Sequence, residues 1–285
     1  MTFRDRIKSD SGLMGPTHAL SAVSLAFLIS WVASDFMFGK VLGSTNIIVF
    51  ISAIIIITGA SLMPDLDAVT STSINTLGIV GVLLSKAMRG FSTLVQSAIR
   101  TRGDGSPGDP HRGFWHTLLS AFLVGLIVSG LTSINTKLFT VAGNTVTVAI
   151  FVVIFIIYIS LQLVLASLFK PFYKRTKNKL MGSIALQIGS LITALILMIS
   201  LPAELNYRWV GAAVTLGWIL HLLGDMMTVA GVPILFPIKY RGKRWWNCIF
   251  PLAIKAGGTI ENAIVIPLFV IILVVSAINV IPLFI

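Results

Sequence analysis

The sequence predicts an all-α protein: a polytopic transmembrane helical bundle of about seven spans, with its N-terminus in the cytoplasm. Three observations predict it. Of 285 residues, 56% are hydrophobic and only 11% charged, and the mean hydropathy is +0.95; a soluble domain carries about a quarter charged residues. Seven apolar stretches have the length needed to cross a hydrocarbon core of about 30 Å, roughly 20 helical residues. The 21 Lys and Arg residues also alternate: three precede the first span, five fall in each of the second, fourth and sixth loops, one in each of the first, third and fifth, and none follows the last span. Basic loops stay in the cytoplasm. The heavily charged side is therefore inside, and residues 1–285 read as one integral membrane domain.

The first span, near 13–38, opens with GPTHAL and carries His18 about one turn in. A basic start and an apolar run from Leu20 to Val32 also fit a signal peptide. Cleavage there would remove a span and upset the charge alternation, so the segment reads as a retained span. The second, near 46–63, ends in SLMPDLDAVTSTS; Pro64 stops the helix and turns Asp65 and Asp67 into an irregular loop. Segment 74–101 starts with a stretch too short to cross, and reads as an interfacial or re-entrant helix pair.

The third span, near 113–134, follows DPHRGFWHTLLS. His111 and His116 are five residues apart, about 140° between faces of an unbroken helix. Pro110 and Gly113 place His111 in a loop before the helix and His116 on the span. The fourth span, near 139–169, is long enough to tilt. The fifth lies near 180–201. The sixth, near 209–236, carries His221 and Asp225 at i,i+4 spacing on one face. The seventh lies near 260–285. The single cysteine, Cys248, excludes an intrachain disulfide and a cysteine-rich metal site.

All four histidines thus fall at cytoplasmic ends of spans, beside Asp65, Asp67 and Asp225. Each alone has a plain reading, as an interfacial side chain or a helix cap. Together they are the ionisable groups that an apolar bundle holds only at a cost. Imidazoles and carboxylates are ligands for zinc, and for manganese or iron, so the set reads as a divalent-metal site. Arg112, at a helix N-terminus, favours an anion.

The order TH (17–18), PDLD (64–67), HRGFWHTLL (111–119) and HLLGDMMTVAGVPILFP (221–237) resembles the YdjM-like family of inner-membrane metal-dependent hydrolases, which is distantly similar to zinc-dependent phospholipases C. The resemblance implies that His221 and Asp225 bind a metal with Asp65 and one of His111 or His116, while His18 serves a neighbouring metal. The chain departs from the family pattern twice. Ala68 stands where a histidine often follows the D-x-D, which removes one ligand. Trp115-His116-Thr117 replaces Thr-His-Ser, which keeps the ligand and makes the mouth bulkier and more suited to an interface.

The function expected is a membrane-bound metal-dependent hydrolase at the cytoplasmic interface of the inner membrane, acting on a phosphoester or other lipid-linked ester. An ion held by His116, His221, Asp225 and Asp65 lowers the pKa of a bound water toward about 7. Asp67 acts as general base or orients a histidine, and Arg112 holds the anionic group. The basic aromatic stretches KPFYKRTKNK (170–179) and KYRGKRWWN (239–247) suit anionic lipid head groups. Neither sits in a nucleic-acid recognition fold, so no nucleic-acid partner is expected. Two other readings compete: an ion, proton or metal transporter, whose charges sit near the midplane of related halves, and a regulatory membrane protein with a structural metal.

Overall fold

The structure, a computed structural model, describes residues 15–68, 77–104, 111–141, 144–175, 179–202 and 205–285. Arg4, Arg6, Lys8, Pro110, Lys177 and the first residues of segment 74–101 lie outside them. The helices are α1 (Gly15–Val32), α2 (Ile47–Ala60), α3 (Gly78–Ile99), α4 (Leu118–Leu131), α5 (Val148–Arg175), α6 (Lys179–Ser200), α7 (Trp209–Met226) and α8 (Ile266–Val280). Among the described residues six helical stretches are long and apolar enough to cross a membrane, and α4 is a shorter apolar helix.

Helices α2 and α7 form the centre. About 72% of the α2 span and 67% of the α7 span is buried, against 17% for α6 and 22% for α8. Helix α2 packs on α1, α5 and α7 at once, while α8 lies along α1 and α6 along α5. The outer helices turn side chains such as Ile188, Ile192, Ile196, Ile271 and Ile278 outward. Their all-round apolar sequence follows from facing protein on one side and an apolar medium on the other. Where the helices meet, small and hydroxyl residues dominate: the buried face of α1 is Thr17, His18, Ala19, Ser21, Ala22, Ser24, Ala26 and Ser30. Such residues let backbones approach closely where hydrophobic collapse supplies no force.

Helix α4 has 14 residues, about 21 Å at 1.5 Å per residue, so the third span is shorter than the expected 113–134. It still runs beside α7 from end to end. Trp218 Nε1 donates to the Trp115 carbonyl at 2.7 Å, and Ser129 Oγ donates to the Arg208 carbonyl at 3.0 Å. Between these points the helices nearly touch. A Cβ on Gly211 would strike the Gly125 carbonyl and Ser129, so glycine is required by space rather than by backbone conformation.

Other boundaries also differ from expectation. The first span is α-helical to Val32, and a π-helical turn, Asp35–Leu42, follows it up to Gly43 at φ 62°. Segment 74–101 contains one continuous helix, α3, instead of a pair. The fourth span begins at Val148, because Lys137–Val141 and Asn144–Thr147 form an antiparallel hairpin (β1 and β2). Their Thr, Val and Phe residues suit a pleated strand as well as a helix. The sixth span ends at Met226, ten residues before the expected limit. The chain then exchanges backbone bonds with 248–254: Phe250 N donates to the Met226 carbonyl, Ile254 N to Met227 and Cys248 N to Val232, at 2.8, 2.8 and 2.9 Å.

Candidate metal centre

Seven ionisable side chains from four parts of the chain converge at one end of the bundle. Helix α7 supplies His221 and Asp225, whose i,i+4 spacing brings Nε2 and Oδ2 to 3.5 Å. His221 Nδ1 lies 2.8 Å from the Ser61 carbonyl. A carbonyl only accepts, so Nδ1 carries the proton and Nε2 presents its lone pair to the cluster. Ser61 closes α2, and the chain then turns through Pro64–Asp67, a single 3-10 turn. That turn brings Asp65 Oδ1 to 3.7 Å from His221 Nε2 and 3.6 Å from His116 Nε2. His116 Nε2 is in turn 3.6 Å from Asp225 Oδ2. Asp65, His116, Asp225 and His221 therefore form a closed ring of contacts between 3.5 and 3.7 Å.

The other residues surround this ring. His18, on α1, stacks on His221 with ring centres 4.1 Å apart and places Nε2 3.3 Å from Asp225 Oδ1. His111 Nδ1 pairs with Asp67 Oδ1 at 2.6 Å, and Asp67 Oδ2 lies 3.9 Å from His116 Nδ1. Burial works against a charged His111, but the Asp67 hydrogen bond and the nearby carboxylates outweigh it and hold its pKa above the ordinary value. Solvent reaches the cluster over two side chains, Asp65 at 26% exposure and His111 at 17%; the other five are sealed.

These atoms fit a divalent ion. Both ring nitrogens of His18 and His116, Nε2 of His221, both carboxylate oxygens of Asp225 and Oδ2 of Asp67 are buried without a hydrogen-bond partner among the described residues. Each such group costs about 1–3 kcal/mol if left unsatisfied. Tetrahedral coordination with bonds of about 2.0–2.2 Å separates neighbouring ligand atoms by about 3.3–3.6 Å, close to the spacing of the ring. Three overlapping triads have ligand atoms within 4.8 Å of one another: His18–Asp65–His221, Asp65–His111–His116 and His116–His221–Asp225.

The structure thus brings together all six residues named as metal ligands, and places Asp67 beside them. One detail is corrected. His116 is not on the span: it lies in a 3-10 turn, Phe114–His116, and α4 starts only at Leu118 behind the Thr117 cap. That turn lets His111 and His116 face one centre, with their rings 5.2 Å apart and nearly perpendicular. Arg112, at φ 64°, commits Nη1 to the Gly231 carbonyl at 3.1 Å. The α4 amides beside it are also engaged, Leu118 N with the Ile234 carbonyl and Ser120 N with Thr117 Oγ1. The arginine thus ties the turn to the 227–237 segment through Nη1, while its buried Nη2 has no hydrogen-bond partner among the described residues. Trp115 packs its ring among Phe91, Phe114 and Trp218.

Sequence reasoning missed Ser61, which acts through its backbone and leaves no residue-type signal. It also missed Arg89, whose Nη1 donates to the Asp67 carbonyl at 3.3 Å.

Fold and cluster together define a polytopic helical membrane protein with a buried histidine–aspartate centre at one end. Residues 13–282 match the model of the YdjM inner membrane protein family, and the chain belongs to that family. No curated protein and no solved structure matches it.

Proposed function

We propose that the protein is a metal-dependent hydrolase working at the cytoplasmic surface of the inner membrane on a phosphoester or other lipid-linked ester. One observation carries the reading: Asp65, His116, Asp225 and His221 form a ring of 3.5–3.7 Å contacts whose buried atoms are largely without hydrogen bonds. In this reading those four residues hold a divalent ion, zinc first and manganese or iron as alternatives, and His18 flanks them against Asp225. The ion, when bound, supplies an activated water and a Lewis acid for the ester oxygen. Asp67 orients His111 through Oδ1 and keeps Oδ2 to accept a proton.

His111 and Asp65, the two partly exposed members, form the side from which an ester approaches. A head group reaching them keeps its acyl chains beside the outward apolar faces of the bundle, which supports a lipid-linked substrate. The basic residues of 239–244 belong to the same basic loop that follows α7 in the charge alternation, and suit anionic head groups. The cytoplasmic orientation rests on the alternation of Lys and Arg among the loops.

The test is metal analysis of the purified wild type and His221→Ala, with hydrolysis assays on a panel of phospholipids and phosphodiesters. We expect stoichiometric metal in the wild type, loss of it in the variant, and turnover that follows the metal. A wild type that binds none removes the mechanism. Metal without turnover across the panel would leave a centre that only staples the helices.

A further inference from the structure

Helix α3 is amphipathic in an inverted sense. At 100° per residue, Ser85, Met88, Ser92 and Gln96 share one face, and this mostly polar face is the buried one, at 5%, 6%, 0% and 7% exposure. Val80, Leu83, Leu84, Ala87, Phe91 and Leu94 lie within an arc of about 100° on another side. That apolar arc is exposed: Val80, Leu83 and Leu94 stand at 59%, 61% and 66%. Lys86, Thr93 and Ser97 form a third, polar and exposed strip beside it. A helix in water buries its apolar face and solvates its polar one; this one has three environments, protein, oil and a polar boundary.

The buried face is bonded to the centre described above. Ser92 Oγ accepts from Phe114 N at 3.0 Å, the Met88 carbonyl accepts from Trp115 Nε1 at 2.8 Å, and Arg89 reaches the Asp67 carbonyl. The turn that α3 holds leads directly into α4, whose Leu119, Phe122, Leu123 and Leu126 are exposed and apolar. The buried face of α3 is thus tied to the start of a helix whose own exposed face suits lipid. The exposed Lys86, Arg100 and Arg102, on or just after the helix, match an anionic surface.

We propose that α3 is seated in the membrane surface on the side of the histidine–aspartate centre. Its Val80–Leu94 arc lies at the edge of the hydrocarbon, its Lys86–Ser97 strip lies among anionic head groups, and its buried face braces the His116 turn. This surface takes lipid as its partner and does not depend on metal or catalysis.

The experiment uses single cysteines at Leu84, Leu94 and Ser97 in a Cys248→Ser chain, reconstituted in vesicles of three parts phosphatidylcholine to about one part phosphatidylglycerol. Circular dichroism matching the wild type certifies the fold of each variant. A charged maleimide should label Leu84→Cys and Leu94→Cys about tenfold or more slowly than Ser97→Cys. A bimane at Leu84 or Leu94 should be quenched by nitroxide on the acyl chains. Equal labelling at all three sites would overturn the proposal. So would slow labelling without quenching by the lipid nitroxide, which would give the face to a second copy of the chain.

Discussion

Where α1 begins, four histidines and three aspartates turn inward, and five of the seven are sealed from solvent. Where α1 finishes, one helix length away, Asp35 and Arg208 lie open. Asp35 borders a cavity of about 750 Å³ with Ser44, Thr45 and Phe284, and Arg208 Nε donates to Ser133 Oγ. Both regions are helix ends in an apolar bundle, yet they treat charge in opposite ways. The open end keeps its charges hydrated and asks nothing further of them. The closed end removes ionisable groups from water and leaves most of their polar atoms without hydrogen bonds among the described residues, which is the arrangement a ligand completes.

The strongest way to break this contrast is Asp225→Ala against Asp35→Ala. Loss of the Asp225 carboxylate should abolish bound metal and reduce hydrolysis on the order of 1000-fold, several kcal/mol of transition-state stabilisation. Asp35→Ala should leave both unchanged. Equal effects in metal analysis and turnover would erase the distinction between the ends. Next is Asp67→Asn, which keeps the shape but weakens the hold on His111. We expect metal affinity or activity to fall by about 10–100-fold, read by metal titration and steady-state rates.

A smaller effect lies between the ends. Gly211→Leu forces α7 away from the Gly125 carbonyl, and overpacking of this kind costs about 1–3 kcal/mol. Thermal unfolding in detergent should show the loss, with metal stoichiometry preserved in the folded fraction.

The smallest effect concerns Asp104, whose carboxylate accepts from Thr101 N, Arg244 N and Trp245 N. Partial burial pushes against its ionised form, but these bonds outweigh it and set its pKa below the ordinary carboxylate value. The stabilisation is present above the unfolded pKa and is lost as pH falls through the depressed folded value. Protection of the Arg244 and Trp245 amides from hydrogen exchange, taken against the intrinsic rate at each pH, should fall in acid for the wild type. In Asp104→Asn that protection should be lower already at neutral pH.

The centre was legible because an apolar chain spends ionisable residues sparingly, so His18, Asp65, His111, His116, His221 and Asp225 stood out against their surroundings. Periodicity also located α7 and its His221–Asp225 face. It could not locate the end of that helix. Residues 227–236 stay apolar, but their backbone partners lie 16–27 positions ahead, in 248–254, and no local pattern reports a pairing at that distance. The Lys137–Thr147 hairpin was missed although Gly143-Asn144 offers a turn signal, because its β-branched residues also suit the start of an apolar helix. The bond from Arg112 Nη1 to the Gly231 carbonyl was hidden because residue type reports neither the positive φ at Arg112 nor an acceptor 119 positions ahead.

The bond between His221 Nδ1 and the Ser61 carbonyl has a consequence for genetics. The acceptor is a peptide oxygen, present whatever side chain position 61 carries. The nitrogen that His221 turns toward Asp65 and Asp225 is thus chosen by the path of the main chain at the end of α2. Side-chain substitution at Ser61 leaves that choice intact, so a scan for loss of function would pass over the group that directs the histidine. A change in the backbone itself, such as an inserted or deleted residue between Ala60 and Pro64, would expose it.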